Sequence, residues 1–335
     1  MTLRLQQLDH LPDGLLDLPA SRLHEQLDGP TLIHLPGRRE PALFVSVLLH
    51  GNEDTGWEAV RSLLARYASQ ALPRALSLLI GNVAAARHGL RRLDSQPDYN
   101  RVWRGGDSPE HAVMAEVVAS MRQRGLFASV DVHNNTGLNP HYGCVNRLDP
   151  PTLHLATLFS RTVVYFLTPD SVQSRAFSDL CPAVTIECGQ PGGEYGTHHV
   201  IDYLDACLHL AALPEHPVPP HDLDLFHTLA VVRLPEDATL SFDGTEATLR
   251  FVPELDHLNF RELAPGTVLA DCTATAPPLL AVSEAGRDLT ERYFGIDQGR
   301  LVTRIPLMPS MLTLNERIIR QDCLCYIMER MELPQ

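Results

Sequence analysis

Two histidines and one glutamate of this chain stand at or just beyond the ends of apolar runs that are typical of buried strands. His50 follows the run 43–49, Glu53 lies three residues further on, and His133 ends the run 127–133. Because parallel strands present their carboxyl ends at one edge of a sheet, these three donors can reach a common ion. A catalytic zinc takes three such ligands and leaves one position for water. An exposed loop histidine beside an acid is the alternative, since His-x-x-Glu alone is a weak signal.

Two further carboxylates occupy similar positions. Asp131 precedes His133 by two residues, so it can hold the imidazole of a metal ligand, or it can simply cap a strand. Glu187 ends the strand-like run 183–187. A buried glutamate is unfavourable unless it is paired or functional, and beside a zinc-bound water it would serve as a general base. The alternative for Glu187 is a surface residue on an edge turn.

The elements that carry these residues alternate between strand and helix. Apolar runs predict strands at 31–35, 43–49, 75–82, 127–133, 161–166 and 183–189, and helical spacing predicts helices from about residue 55, at 109–124 and at 197–213. This order predicts an α/β domain in which a parallel or mixed sheet is covered on both faces.

A proline-rich stretch divides the chain. We expect a catalytic domain at 1–213, a linker at 214–220 and a β-rich domain at 221–335, where short alternating runs are separated by Pro, Gly and Asp turns.

Composition excludes several classes of partner. The formal charge is −14, and all 27 basic residues are arginine, so we expect neither a nucleic-acid partner nor an anionic membrane, and no lysine can act as a nucleophile. The seven cysteines form no Cys-x-x-Cys pair, and the sequence contains neither a signal peptide nor a long apolar segment. These features predict a soluble cytoplasmic protein.

Four motifs occur in an order that resembles the succinylglutamate desuccinylase/aspartoacylase family, a branch of the zinc carboxypeptidase-like hydrolases. The resemblance covers about residues 40–210. Its motifs are His50-Gly51-Asn52-Glu53, Asp98-Tyr99-Asn100-Arg101, Asp131-Val132-His133-Asn134-Asn135 and Ile186-Glu187-Cys188-Gly189.

The resemblance implies a three-layer α/β/α domain with a mixed sheet and a smaller β-rich C-terminal domain. By it, His50, Glu53 and His133 bind one zinc ion per chain, and Glu187 activates water and then protonates the leaving amine. The implied activity is that of a zinc-dependent amidohydrolase, which cleaves the amide bond of an N-acyl amino acid or a similar small anionic amide.

The resemblance also implies arginine roles. Asn100 and Arg101 match the pair that grips a substrate carboxylate. Arg92 is the preferred candidate for polarising the scissile carbonyl and Arg91 is the alternative, while Arg175 matches a further carboxylate-binding arginine.

Four other residues near the motifs are better explained without chemistry. His141, His198 and His199 are interpreted as loop or pocket-wall histidines, and Cys188 as strand packing, because no base is evident to activate its thiol.

Two other functions stay open. More distant relatives with the same ligands are carboxypeptidases that act on peptides, although an added β-rich domain favours small substrates. A non-catalytic zinc-stabilised module would need a fourth ligand, and none is obvious. Relatives of this family are often dimeric or larger, so a homo-oligomer is also open.

Overall fold

The chain folds into two compact units. The structure, a computed structural model, describes residues 3–333. The first unit holds the chain up to Asn134 together with His141–Asp224, and the second holds Asn135–Pro140 and the chain from Leu225 onward. The division at Asp224 lies just beyond the predicted linker 214–220. The sequence did not indicate that Asn135–Pro140 belongs with the second unit.

The first unit is an α/β domain with a mixed sheet. Its strands run in the order β1-β2-β4-β3-β5-β8-β6-β7, and β4, β3, β5 and β8 are parallel to one another, whereas β2 and β6 pair antiparallel with β4 and β8. The strands are β1 (Gln6–Leu8), β2 (Thr31–Leu35), β3 (Ala42–Val47), β4 (Leu76–Ile80), β5 (Leu126–His133), β6 (Tyr142–Val145), β7 (Thr162–Tyr165) and β8 (Ala183–Glu187).

Helices cover both faces of this sheet, as the alternating pattern predicted. They are α1 (Thr55–Arg66), α2 (Val83–Ala86), α3 (Pro109–Arg124), α4 (Pro150–Thr157), α5 (Gln173–Phe177) and α6 (Glu194–His209). Residues of α3 and α5 pack with Phe44 in one core. Gly56 of α1 lies against Val47 and Val132 on the opposite face, where α1 also packs on α6. The predicted α/β architecture is therefore confirmed.

Three adjacent parallel strands bring the candidate ligands together. β5 lies between β3 and β8, with Ser46 in register with Asp131 and His133 in register with Glu187. Every residue of β3 and β8 is buried, which explains their continuous apolar sequence. Because all three strands end at the same edge, the residues at their ends can share one site.

The second unit is rich in β-structure and has a core of its own. One group of strands pairs in the order β13-β9-β17-β16, and a five-stranded sheet has the order β10-β11-β12-β15-β14. The strands are β9 (Asp224–Arg233), β10 (Leu240–Ser241), β11 (Leu249–Phe251), β12 (Val268–Cys272), β13 (Leu280–Ser283), β14 (Phe294–Asp297), β15 (Arg300–Thr303), β16 (Met308–Ser310) and β17 (Cys325–Arg330), with short helices α7 (Thr290–Tyr293) and α8 (Glu316–Gln321).

The loop after β3 lies directly on the backbone of α2. A Cβ on Gly51 would overlap backbone atoms of Ala85 and Ala86, so only glycine fits between His50 and Glu53 without movement of the chain. The Gly51 amide also donates a hydrogen bond to the Arg91 carbonyl at 3.1 Å. The position of the loop after β3 therefore depends on the close approach of Gly51 to the backbone of α2.

Replacing Gly51 with alanine should destabilise the protein, because the new methyl group meets backbone atoms that cannot rotate away. We expect a loss of about 3 kcal/mol in the free energy of unfolding, measured by chemical denaturation. Gly29→Ala is the matched control, since a Cβ there would lie 3.7 Å from its nearest neighbour, Leu3 Cδ1. Equal stabilities of the two variants would show that the loop does not depend on this contact.

Candidate metal centre and active site

Two imidazoles and one carboxylate converge at the carboxyl edge of the sheet. Glu53 Oε1 lies 2.8 Å from His50 Nδ1, and Glu53 Oε2 lies 2.7 Å from His133 Nδ1. The two Nδ1 atoms are 3.2 Å apart. All three side chains are almost fully buried. Among residues 3–333, this is the one group of three or more His, Cys, Asp or Glu side chains arranged to hold a metal ion.

Each imidazole also contacts a second carboxylate through Nε2, the ring nitrogen that does not face Glu53. His50 Nε2 lies 2.9 Å from Asp98 Oδ1, and His133 Nε2 lies 2.8 Å from Asp131 Oδ2. With a cation between the rings and Glu53, each ring could keep its proton on Nε2 as the donor to Asp98 or Asp131 and offer the lone pair of Nδ1 to the cation. Three electron-pair donors therefore face one point, which is the arrangement that a cation requires.

The charge of the cluster also fits a divalent cation. With neutral imidazoles, the carboxylates of Glu53, Asp98 and Asp131 are opposed by the buried guanidinium of Arg91. Burial lowers the pKa of His133, but Asp131 and Glu53 outweigh burial and raise that pKa well above its usual value. The excess negative charge of the cluster thus favours added positive charge, which a metal ion supplies.

Asn134 connects the cluster to the neighbouring loops. Its backbone amide donates to Glu53 Oε2 at 3.1 Å, and its side-chain amide donates to Thr55 Oγ1 and to the Gly189 carbonyl, each at 2.9 Å. These bonds hold the start of α1 and the loop after β8 against Glu53. The sequence motif contained Asn134 but indicated no role for it.

Glu187 lies beside the three candidate ligands, at the end of β8. It is 6% exposed, and burial raises its pKa to about 8, with His133 opposing the rise and Glu53 adding to it. A nearby cation would favour the carboxylate form again. Glu187 is therefore a buried residue that can exchange a proton near neutral pH, and it is not on the surface.

The structure brings Arg91 to the cluster, whereas Arg92 points elsewhere. Arg91 donates from Nε to Asp98 Oδ2 at 3.0 Å, and its Nη1 lies 3.7 Å from Glu53 Oε1. Arg92 is directed instead to the Gln96 carbonyl, with a hydrogen bond of 2.9 Å. The sequence had favoured Arg92. In a segment without regular secondary structure, spacing does not determine which of two adjacent side chains turns inward.

Asn100 lies at the cluster and Arg101 follows it directly. Asn100 Nδ2 is 3.2 Å from His133 Nε2, and Asn100 Oδ1 accepts a hydrogen bond from the Gln173 amide at 3.0 Å. Arg101 is half-buried, donates to the Asn100 carbonyl and acts with Arg91 to lower the pKa of Asp98 against the effect of burial.

Arg175 contacts residues just beyond its own helix, α5. Its Nη1 donates to Ser178 Oγ at 3.0 Å and lies 3.6 Å from Asp179 Oδ1, both on the chain that follows α5. Asp98, in contrast, had no role assigned from the sequence, yet it contacts both His50 and Arg91. The one available signal was its place in the motif that contains Asn100 and Arg101.

Cys188 and the three histidines near the motifs lie in packed or exposed positions. Cys188 is 1% exposed, and burial, together with Glu187, raises its pKa well above the usual value, so its thiol stays protonated. His198 is exposed. His141 and His199 contact each other, with their Nδ1 atoms 2.7 Å apart.

Comparison with known proteins gives the class of this domain. Residues 39–200 match the model of the succinylglutamate desuccinylase/aspartoacylase catalytic domain. No curated protein sequence gives a significant match.

Solved structures with similar folds carry names from the same family. The chain is similar to succinylglutamate desuccinylase from Vibrio parahaemolyticus, with 13% identity over 90% of this chain and 86% of that one and a TM-score of 0.61. Succinylglutamate desuccinylase from Chromobacterium violaceum gives 18% identity, coverages of 89% and 87%, and a TM-score of 0.58. Murine aminoacylase 3 gives 17% identity, coverages of 88% and 97%, and a TM-score of 0.54.

Residues 39–200 therefore match the catalytic domain of the succinylglutamate desuccinylase/aspartoacylase family, as the order of the four motifs predicted. The members of this family are hydrolases that act on small molecules. Across residues 3–333, no helix has both the length and the apolar character that crossing a membrane would require.

Asp98→Asn should weaken metal binding, because an amide can present its NH₂ group to His50 Nε2 and so favour the wrong tautomer. We expect the affinity for a divalent transition metal to fall by about 10- to 100-fold, measured by competition with a chelator. The control is Asp9→Asn, since the Asp9 side chain is 94% exposed. An unchanged affinity in Asp98→Asn would show that Asp98 does not orient His50.

Proposed function

We propose that this chain is a zinc-dependent hydrolase that cleaves the amide bond of an N-acyl amino acid or a similar small anionic amide. The observation that carries the proposal is the convergence of His50 Nδ1, His133 Nδ1 and Glu53 beside the buried Glu187. The names of similar structures, desuccinylase and aminoacylase, support an N-acyl amino acid as the substrate.

His50, Glu53 and His133 would hold one zinc ion. Two nitrogen ligands and one carboxylate match the ligand sets of catalytic zinc sites, in which a further position stays open for water or substrate. When bound, zinc would polarise the scissile carbonyl and lower the pKa of the attacking water.

Glu187 is the proposed proton carrier. Its carboxylate would take a proton from the attacking water and then deliver it to the nitrogen of the leaving amine. The position of Glu187 supports this role, because it is buried in register with His133 at the strand ends, and a bound cation would favour its carboxylate, the form that accepts a proton.

Three cationic or polar groups would bind the anionic parts of the substrate. We assign the developing oxyanion to Arg91, because its guanidinium lies at the cluster, in place of the Arg92 that the sequence favoured. Asn100 and Arg101 would bind a substrate carboxylate, for which the fork of arginine is well suited. For Arg175 the role of a further carboxylate ligand stays a prediction.

The expectations about the cellular setting of the protein rest on the sequence alone. A cytoplasmic location and a small-molecule partner stay predictions, as does the catalytic role of the domain 1–213. A homo-oligomeric state stays open.

Glu187→Gln should retain zinc and lose turnover, because the amide keeps the shape of the side chain but cannot carry the proton. We expect kcat to fall by about 10²- to 10⁴-fold, measured on zinc-loaded protein with a panel of N-acyl amino acids and dipeptides. Metal analysis of both proteins is the control. Full activity of the variant would exclude Glu187 as the base, and cleavage of the dipeptides alone would exclude the deacylase proposal.

Arg91→Gln and Arg92→Gln form a matched pair of variants. We expect Arg91→Gln to reduce kcat by about 10²-fold or more, because it removes the charge that stabilises the oxyanion, whereas Arg92→Gln should stay close to wild type. Unfolding curves and zinc content must accompany the kinetics, since Arg91 also balances Asp98. A larger loss in Arg92→Gln would return the oxyanion role to Arg92.

A further inference from the structure

Four aromatic side chains form a cluster beside the candidate active site, and the proposed chemistry does not use them. This aromatic cluster consists of His141, which directly precedes β6, Phe159 just after α4, and Tyr195 and His199 of α6. The His199 ring stacks on Phe159 with centroids 4.3 Å apart and planes 13° apart. Tyr195 lies 5.1 Å from the His141 ring at 31°.

The two imidazoles of the cluster make one flat surface. Their Nδ1 atoms are 2.7 Å apart and their planes differ by 14°, so a hydrogen bond joins the rings nearly edge to edge. Burial lowers the pKa of both His141 and His199, and for His141 the neighbouring His199 lowers it further. Near neutral pH the pair is therefore uncharged, and its faces are suited to contact with another π-system.

The cluster adjoins the candidate active site through the loop after β8. The Gly189 carbonyl accepts from Asn134, whose backbone amide donates to Glu53. A Cβ on Gly189 would lie 3.0 Å from His141 Nε2, so the imidazole packs directly against this loop. Only Cys188 separates Gly189 from the proposed base, Glu187.

The two sides of the site differ in chemistry. Asn100 contacts His133 and Gln173 of α5, on the face of the sheet that α3 and α5 cover. The aromatic cluster includes Tyr195 and His199 of α6, and α6 packs with α1 on the opposite face. A substrate that reaches across the sheet edge would meet cationic and amide groups at one end and aromatic rings at the other.

Tyr195 is the member of the cluster that is available to a ligand. Tyr195 is 76% exposed, which leaves most of its surface accessible to a ligand. It stands in the first turn of α6, after Gly192 and Gly193, and its ring already tilts over His141. The half-buried His141 and His199 and the buried Phe159 support its ring.

We propose that the aromatic cluster is a specificity subsite for a flat aromatic or heteroaromatic group at the end of the substrate remote from the carboxylate that Asn100 and Arg101 bind. This inference rests on the proposed amide hydrolysis, and it narrows the substrate class to aroyl or similarly planar acyl amides. His141 and Tyr195 determine selectivity, and they take no part in bond cleavage.

The test compares N-benzoyl and N-acetyl derivatives of one amino acid, chosen as the best amine of the panel above. On zinc-loaded wild type, kcat/KM should favour the benzoyl compound, mainly through KM. In Tyr195→Ala the ratio of the two values should fall by about tenfold, whereas Tyr195→Phe should keep it, because stacking needs the ring and not the hydroxyl. The exposed position of Tyr195 means that both variants should fold.

Three kinetic outcomes would overturn the subsite: no preference for benzoyl in wild type, the same loss of kcat/KM for both substrates in Tyr195→Ala, or a loss of the ratio in Tyr195→Phe. Hydrolysis of the acetyl compound in any of these cases would leave the proposed function intact.

Calorimetric titration with N-benzoylglycine and N-acetylglycine covers the case in which neither compound is hydrolysed. Tighter binding of N-benzoylglycine that Tyr195→Ala abolishes would support the subsite while the proposed reaction fails. Equal affinities for the two ligands would overturn the subsite.

Discussion

The contact on which the site depends is that of one buried carboxylate with two imidazoles. Both oxygens of Glu53 face an Nδ1 atom, and a carboxylate in the interior is strongly unfavourable unless such partners compensate it. Asp98 and Asp131 hold the far sides of the two rings. Each carboxylate therefore influences both the orientation of the imidazole that it contacts and the protonation of that imidazole.

This cluster is possible because three neighbouring strands run in the same direction. Their buried apolar residues specify strands that need both faces covered, and helices on each face satisfy this need. The strand ends then meet at one edge, where Glu53, His133 and Glu187 come within reach of one another. Gly51 allows the first loop to lie against α2, which brings Glu53 back towards the sheet.

Much of this arrangement could be predicted from the sequence, and the limits have a physical origin. The run that precedes His50 and the runs that end in His133 and Glu187 predicted strand ends, because burial on both faces leaves a continuous apolar pattern. Arg91 and Asp98 lie between Arg87 and Asp107, where no periodicity indicates which side chains turn inward. The contacts of Asn134 and the packing of Tyr195 join segments far apart in sequence, and local patterns carry no information about such contacts.

The groups proposed for the reaction and the groups proposed to select the substrate stand on different parts of the fold, and this has a consequence for the evolution of the protein. The groups proposed to bind metal and carry protons stand on or next to strand ends, whereas Arg101 and Tyr195 stand on a loop and on the first turn of a helix. Insertions and substitutions in such surface segments are tolerated far better than changes in a buried sheet. New substrate ranges could therefore arise by drift at these segments while the reaction itself is inherited unchanged.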